Sequence, residues 1–338
     1  MSHAVNPRVD RDMTIDVARG IAITLVVLGH NRALSMAWPA LVAGIFLFHV
    51  PLFFLLSGRV MRPDDPRRAT TRLARRLLAP FLLAAVVVGA IKCVTRDESV
   101  SSTLAGIAWA TGETLPWSHL WFLPTLFLSL VATHVLALGV SKSAGWAAAA
   151  VLAVGAAAVL PMADYTGWPW SLDLLPLCLA FVWSGQMLRT SDAAGRIAAH
   201  PATILIAALV FALSLGTVQV DLNLRLFDPF ALALAAALAG CVLTLGMSRG
   251  LSRYAAFARP LALIGRHTLV IFILHVSVQK ALLMAFPGES LSQTGLGLLG
   301  LASAALTIAI TLALSVLIDL LSARHAAQRD GATPSEAR

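Results

Sequence analysis

The run Asp16-Val-Ala-Arg19-Gly-Ile-Ala-Ile-Thr-Leu-Val-Val-Leu-Gly-His30 decides how the rest of the chain is read. It is too long and too continuously apolar for a strand with one wet face, yet it carries an arginine and a histidine eleven residues apart. At about 100° per residue, eleven steps make roughly three turns. Arg19 and His30 therefore fall within roughly 20° of one helix face, about 16 Å apart along the axis. An ionisable group inside a membrane span costs at least ~2.5–3.5 kcal/mol on insertion scales, so the pair demands a partner or a purpose. One reading puts both on a common internal cavity. The plainer one has Arg19 snorkelling to lipid headgroups and His30 satisfied in the core.

The same texture extends along all 338 residues, of which 58% are hydrophobic and 12% charged. The charged share is about half that of a soluble protein, which excludes a water-soluble enzyme. At roughly 20 apolar residues per span the composition supplies about ten spans. Apolar windows bounded by Pro, Gly or charge fall at 14–33, 39–60, 74–95, 118–140, 145–161, 172–188, 201–218, 227–247, 263–286 and 295–321. Open sheet edges are forbidden in hydrocarbon, so these windows predict an all-α, polytopic integral membrane protein with about ten transmembrane helices.

With the N-terminus inside, the inner connections hold 19 Lys and Arg, and the outer ones only Arg32, Lys92, Arg96, Arg225 and Lys280. That bias predicts both termini to be cytoplasmic. It also explains the net charge of +8 without nucleic acid. The expected organisation is a cytoplasmic segment 1–13, a membrane domain 14–321 and a disordered cytoplasmic tail 322–338. Arg19 and the lack of an A-x-A site argue against a cleavable signal peptide. Cys93, Cys178 and Cys241 lie far apart in apolar runs, which indicates neither a disulfide framework nor a zinc site.

Two further histidines, His49 and His275, come out about 14–15 Å into their spans, near the bilayer midplane. Three histidines on three helices can thus meet. No carboxylate or cysteine accompanies them at metal-ligand spacing, so proton transfer is the better use and no metal is expected. Arg67, Arg68, Arg72, Arg75 and Arg76 crowd an inner helix mouth. They suit the phosphates of a polyanionic donor, or else they fix topology against anionic lipid. On the outer side, Asp164, Tyr165, Trp168, Trp170 and Asp173 form an aromatic and acidic connection suited to a sugar. Like Trp117, His119 and Trp121, they also read as an interfacial belt.

These residues resemble the acyltransferase family 3 membrane proteins. The mark of that family is an Arg, ten residues, then a His in the first helix, as at Arg19 and His30. Phe48-His49-Val-Pro-Leu-Phe-Phe-Leu-Leu-Ser57-Gly58 resembles its second-helix motif, and Arg72-Leu-Ala-Arg75 its cytoplasmic Arg-x-x-Arg. Leu120-Trp121-Phe122-Leu123 and the run from Ile264 to His275 resemble later segments. Many relatives have Tyr where Phe272 stands, and some carry a second transferase domain that is not seen after Leu321.

The resemblance implies a plasma-membrane (inner-membrane) enzyme with no permanently bound cofactor. It would move an acetyl or other acyl group from a cytoplasmic acyl-CoA to a hydroxyl of a saccharide or lipid-linked glycan, with membrane lipids as its surroundings. His30 and Arg19 are the catalytic candidates, and Arg72, Arg75 and Arg68 bind the donor. Asp16, His49, Ser57 and His275 support them, and Trp121, Asp164 and Trp168 are acceptor-binding candidates. The alternative is a proton-coupled transporter of a sugar or small acid that uses the buried histidines as a relay. Transporters often have related halves, and no such symmetry is visible here.

Overall fold

A computed structural model of the chain describes residues 12–62, 64–286, 288 and 291–330. Ten helical segments carry the ten apolar windows. They are α1 (Met13–Gly29), α2 (Pro39–Val60), α3 (Pro66–Arg96), α4 (Ser118–Gly139), α5 (Gly145–Met162), α6 (Pro169–Thr190), α7 (Pro201–Ser214), α8 (Phe230–Leu251), α9 (Thr268–Ala285) and α10 (Gln293–Asp330). Among the described residues, eight are long and apolar enough to cross a membrane by themselves. A ninth arises if α7 and the helix Asp192–Ala199 are one bent span. The tenth, α1, has 17 residues and stands at the lower limit of span length. The chain is an all-α polytopic membrane protein, with a single two-stranded ribbon, β1 (Gln219–Asp221) and β2 (Leu226–Asp228), among its described residues.

Four boundaries differ from the sequence expectation, each for a local reason. The first window was expected to run to 33, but the helix stops at Gly29. Asn31 is extended, and its side chain caps the next short helix, Arg32–Ala37. The 201–218 window is shortened and bent by 62° against Asp192–Ala199. Pro201 forces His200 into an extended conformation there. The 263–286 window is two helices, Ala255–Arg266 and α9, parted at His267. Finally, α10 continues to Asp330, so 322–330 are helical where a disordered tail was expected. Polar composition does not end a helix while Ala, Arg and Gln remain good formers. The rest of that tail, and Arg8 and Arg11 of the N-terminal segment, lie outside the described residues.

Local features of α2 and α3 shape the interior. α2 breaks at Leu47 and Phe48 and restarts at His49, because Pro51 would clash with the Leu47 carbonyl in a continuous helix. α3 widens into a π-helical turn at Ala74–Leu78, just before Pro80, which has no N–H to give Arg76. Such turns recur at functional sites. At the crossing of α1 with Ala255–Arg266, Gly20 faces the Leu261 backbone and Gly265 faces that of Asp16. A Cβ at either place would collide with main chain, so only glycine permits this approach.

Candidate active site

The last turn of α1 is where the site is built. The His30 amide donates to Val26 O at 3.0 Å and closes the helix. The fully buried Asn31 then fixes the exit. Its Oδ1 accepts from Leu34 N at 3.1 Å, and its Nδ2 donates to Ser303 Oγ at 2.9 Å and Gly300 O at 3.2 Å on α10. His30 is thereby pinned at a helix terminus and exposes its ring to a cavity.

Three more imidazoles surround it. The His30 ring centroid lies 6.1 Å from His49, 5.4 Å from His275 and 6.5 Å from His119, and His119 and His275 are 5.0 Å apart. The three histidines expected to meet do so, and His119 makes a fourth. His49 Nδ1 lies 3.0 Å from Ile45 O, and His275 Nδ1 lies 2.6 Å from Phe272 O. A carbonyl only accepts, so each Nδ1 carries the hydrogen and each Nε2 presents a lone pair. His275 Nε2 is buried without a partner. Among the described residues, no group of His, Cys, Asp or Glu has the arrangement to hold a metal ion. A buried cluster of this kind is suited to passing protons.

The cavity beside these rings measures about 290 Å³ and is lined by His30, His49, His119, Trp121 and the ribbon turn from Val220 to Leu224. Asp221 stands on its wall outside the spans. Burial pushes its carboxyl above the usual range, against the pull of the Asn223 and Leu224 amides and Arg225. The turn is held in place by Arg225, whose Nε meets Asp173 Oδ2 at 2.9 Å. Both side chains are buried, at 4% and 0% exposure. Arg225 also donates to Asn223 O at 2.7 Å. Removing one partner of such a buried pair costs about 3–5 kcal/mol.

A second cavity of about 310 Å³ lies on the far side of Phe53, Phe122 and Phe272, which line both. Its polar wall holds Arg19, Ser57, Arg62, Arg72, Arg76 and His134. Arg19 donates to Thr268 Oγ1 at 3.1 Å, and the buried Asp16 pairs with Arg266 at 3.1 Å one helix turn before it. Arg72 pairs with Asp64 and holds that carboxyl below its usual range. Outside the mouth a shallow groove continues through Arg68, Thr71, Arg72, Arg75 and Arg76.

The candidate residues thus sort plainly. His30, His49 and Trp121 line the histidine-side cavity, with His275 in ring contact behind them. Arg19, Ser57 and Arg72 line the arginine-side cavity, Arg68 and Arg75 flank its mouth, and Asp16 stands behind Arg19. Asp164 and Trp168 line neither cavity. Asp164 accepts from the Gly167 amide at 3.1 Å, and the Trp168 backbone amide donates to Asp173 at 3.0 Å, while the Trp168 indole is exposed. Asp173 is likewise taken up by Arg225.

Sequence reading missed the ribbon turn, Asn31 and His134. His134 Nδ1 lies 2.8 Å from Leu130 O, and its buried Nε2 has no partner, so a lone pair is left beside the arginines. The only advance signal for His134 was an ionisable group inside an apolar run.

Residues 14–320 match the family model described as an acyltransferase domain. The chain is 27% identical over 192 residues to the nodulation protein NolL of Mesorhizobium japonicum, which covers 52% of this chain and 48% of that protein. It is 31% identical over 144 residues to the nodulation protein NolL of Sinorhizobium fredii, covering 38% and 37%. The chain therefore spans less than half the length of the curated relatives it matches. No solved structure matches it.

Proposed function

The chain belongs to the acyltransferase-domain family, and from that premise we propose that it is a membrane O-acyltransferase with a divided site. The observation that carries this reading is the pair of cavities meeting at one set of phenylalanines, one lined by arginines and the other by histidines. The arginine side takes an acyl-CoA. Arg72 and Arg76 grip its phosphates by charge-assisted contacts, with Arg68 and Arg75 in the groove outside. His134 Nε2 accepts a hydrogen bond from an N–H or O–H of the donor. The histidine side takes a hydroxyl of a saccharide or lipid-linked glycan, with Asp221, Asn223 and Trp121 as polar and aromatic contacts.

The chemistry needs a base, because a protonated alcohol is a poor nucleophile. His30 takes the hydroxyl proton as the oxygen attacks the thioester carbonyl. The S–C(=O) bond breaks as the O–C(=O) ester bond forms, and the thiolate receives the proton. His49, His119 and His275 relay protons around His30. Arg19, oriented by Thr268, holds the donor in line. The excess of Lys and Arg on one side supports an orientation with the arginine side at the cytoplasm and the histidine side outside, in keeping with a plasma-membrane enzyme. Family membership favours this reading over the proton-coupled transporter.

The test is whether the purified protein releases free coenzyme A from acetyl-CoA only when a saccharide acceptor is supplied. Saccharide-dependent release, with the acetyl group recovered as an ester on the sugar, is the expected result. Release independent of every saccharide tried, with no sugar ester, would contradict it.

A further inference from the structure

The two cavities share three aromatic rings where they abut. Phe53 of α2, Phe122 of α4 and Phe272 of α9 line both. The Phe53 and Phe122 centroids are 6.0 Å apart at 74°, and those of Phe122 and Phe272 are 5.2 Å apart at 51°. These are contact geometries of the kind aromatic pairs prefer, and the cavities on their two sides are separate. Phe122 is fixed from behind by Phe54 at 5.0 Å and is 7% exposed. Phe53 and Phe272 are half-buried, and each borders both cavities. Arg19 opens on one side of the rings and His30 on the other, about 16 Å apart along α1. A thioester carbonyl that enters beside Arg19 therefore reaches none of the four clustered histidines, His30, His49, His119 and His275, until a ring moves.

We propose that Phe53, Phe122 and Phe272 form a closed aromatic gate that the acyl-bearing arm of the donor must part, and whose width decides which acyl groups cross. The proposal rests on the acyl-transfer reading. A straight acyl group has the cross-section of the methylene chain that carries it and follows that chain past one displaced ring. A branched acyl group needs a wider opening. Without donor, water and ions on each side meet only apolar ring faces, so the gate also keeps the membrane tight. Phe53 and Phe272 are the moving leaves, and Phe122 is the post.

Two readouts test this, and the first needs no acyl donor. Protein is reconstituted into liposomes holding a pH-sensitive dye, and a pH gradient is applied. Liposomes with the parent protein or Phe272→Leu should hold the gradient as protein-free liposomes do. Phe53→Ala with Phe272→Ala should dissipate it several-fold faster. A double variant that elutes from a sizing column as the parent does, yet stays equally tight, overturns the gate. Phe272→Ala alone guards against a double variant that does not fold. In the second readout, the ratio of kcat/KM for isobutyryl-CoA to that for acetyl-CoA should rise at least about tenfold in Phe272→Ala, because isobutyryl carries two more methyl-sized groups than acetyl and relief of one such steric limit alone is worth about that much. An unchanged ratio overturns the width selection. A parent that transfers no acyl group from either donor would sink the acyl-transfer reading, and the dye readout would still decide the gate.

Discussion

The arginine-side and histidine-side cavities are close in size and share three phenylalanines, but they are assembled in opposite ways. Arg62, Arg72 and Arg76 come from one connection and the first turns of α3, so the charge at that mouth is local to the sequence. His30, His49, His119 and His275 come from four helices, and the ribbon turn closes their cavity from a fifth segment. Gripping a polyanion takes charge density, which a short basic stretch supplies at almost any register. Passing a proton takes ring nitrogens within a few ångströms of one another, and only the folded bundle supplies that.

The largest expected effect falls on the side that does chemistry. His30→Ala should lower kcat by about 10²- to 10⁴-fold, the usual worth of a general base, while the donor KM stays unchanged. Steady-state kinetics at varied acyl-CoA checks this, with membrane abundance as the control for insertion. A variant that loses donor affinity and keeps kcat would collapse the division between the two cavities.

That division also marks what was legible in the sequence. Nine of the ten windows coincide with long or bent apolar helices, because hydrophobic length is written residue by residue. Arg19 and His30 stood out because ionisable groups are rare in such runs. The break at Pro51, the bend at Pro201 and the turn at Asn31 set depth and direction, and they depend on what packs around them. His30 read as mid-span and is in fact a helix terminus. Asp164 and Trp168 read as sugar contacts from composition alone, and the structure places both in their own loop, away from the two cavities. The ribbon turn gave no signal and His134 only that of an ionisable group in an apolar run, because the cavities they line come from distant segments.

Arg19 lines the arginine-side cavity and shares α1 with the approach to His30, so its substitution sharpens the comparison. Arg19→Lys keeps the charge and the ability to reach water, but it loses the planar fork that meets Thr268. The variant should insert normally and transfer acyl groups roughly tenfold or more slowly, the scale of one lost charged hydrogen bond. Parental kinetics would return Arg19 to a purely anchoring part.

On the arginine side alone, Arg72→Ala with Arg76→Ala should raise the donor KM by about tenfold, leave kcat nearly intact and flatten the salt dependence of binding. Titrating coenzyme A binding across a salt series would show it. A parental salt slope would assign these arginines to topology.

The smallest effect concerns Asp221, the carboxylate on the histidine-side wall. Its pKa is raised by burial, so it takes up a proton at a higher pH than an ordinary aspartate, and acceptor affinity should weaken as pH falls through that raised value. Asp221→Asn should remove this acid limb from the pH profile of the acceptor KM, with a change of less than about tenfold, as for one neutral hydrogen bond. An acid limb identical in the two proteins would exclude Asp221 from acceptor binding.

The divided site is tested most directly by sidedness. Protein is reconstituted into vesicles, and the fraction with the arginine face outward is selected. Acetyl-labelled coenzyme A is then added outside, with oligosaccharides either sealed in the lumen or added outside. The account predicts acetyl ester on lumenal sugar only, abolished by His30→Ala. Label on external sugar, with the lumenal pool unmodified, would contradict it.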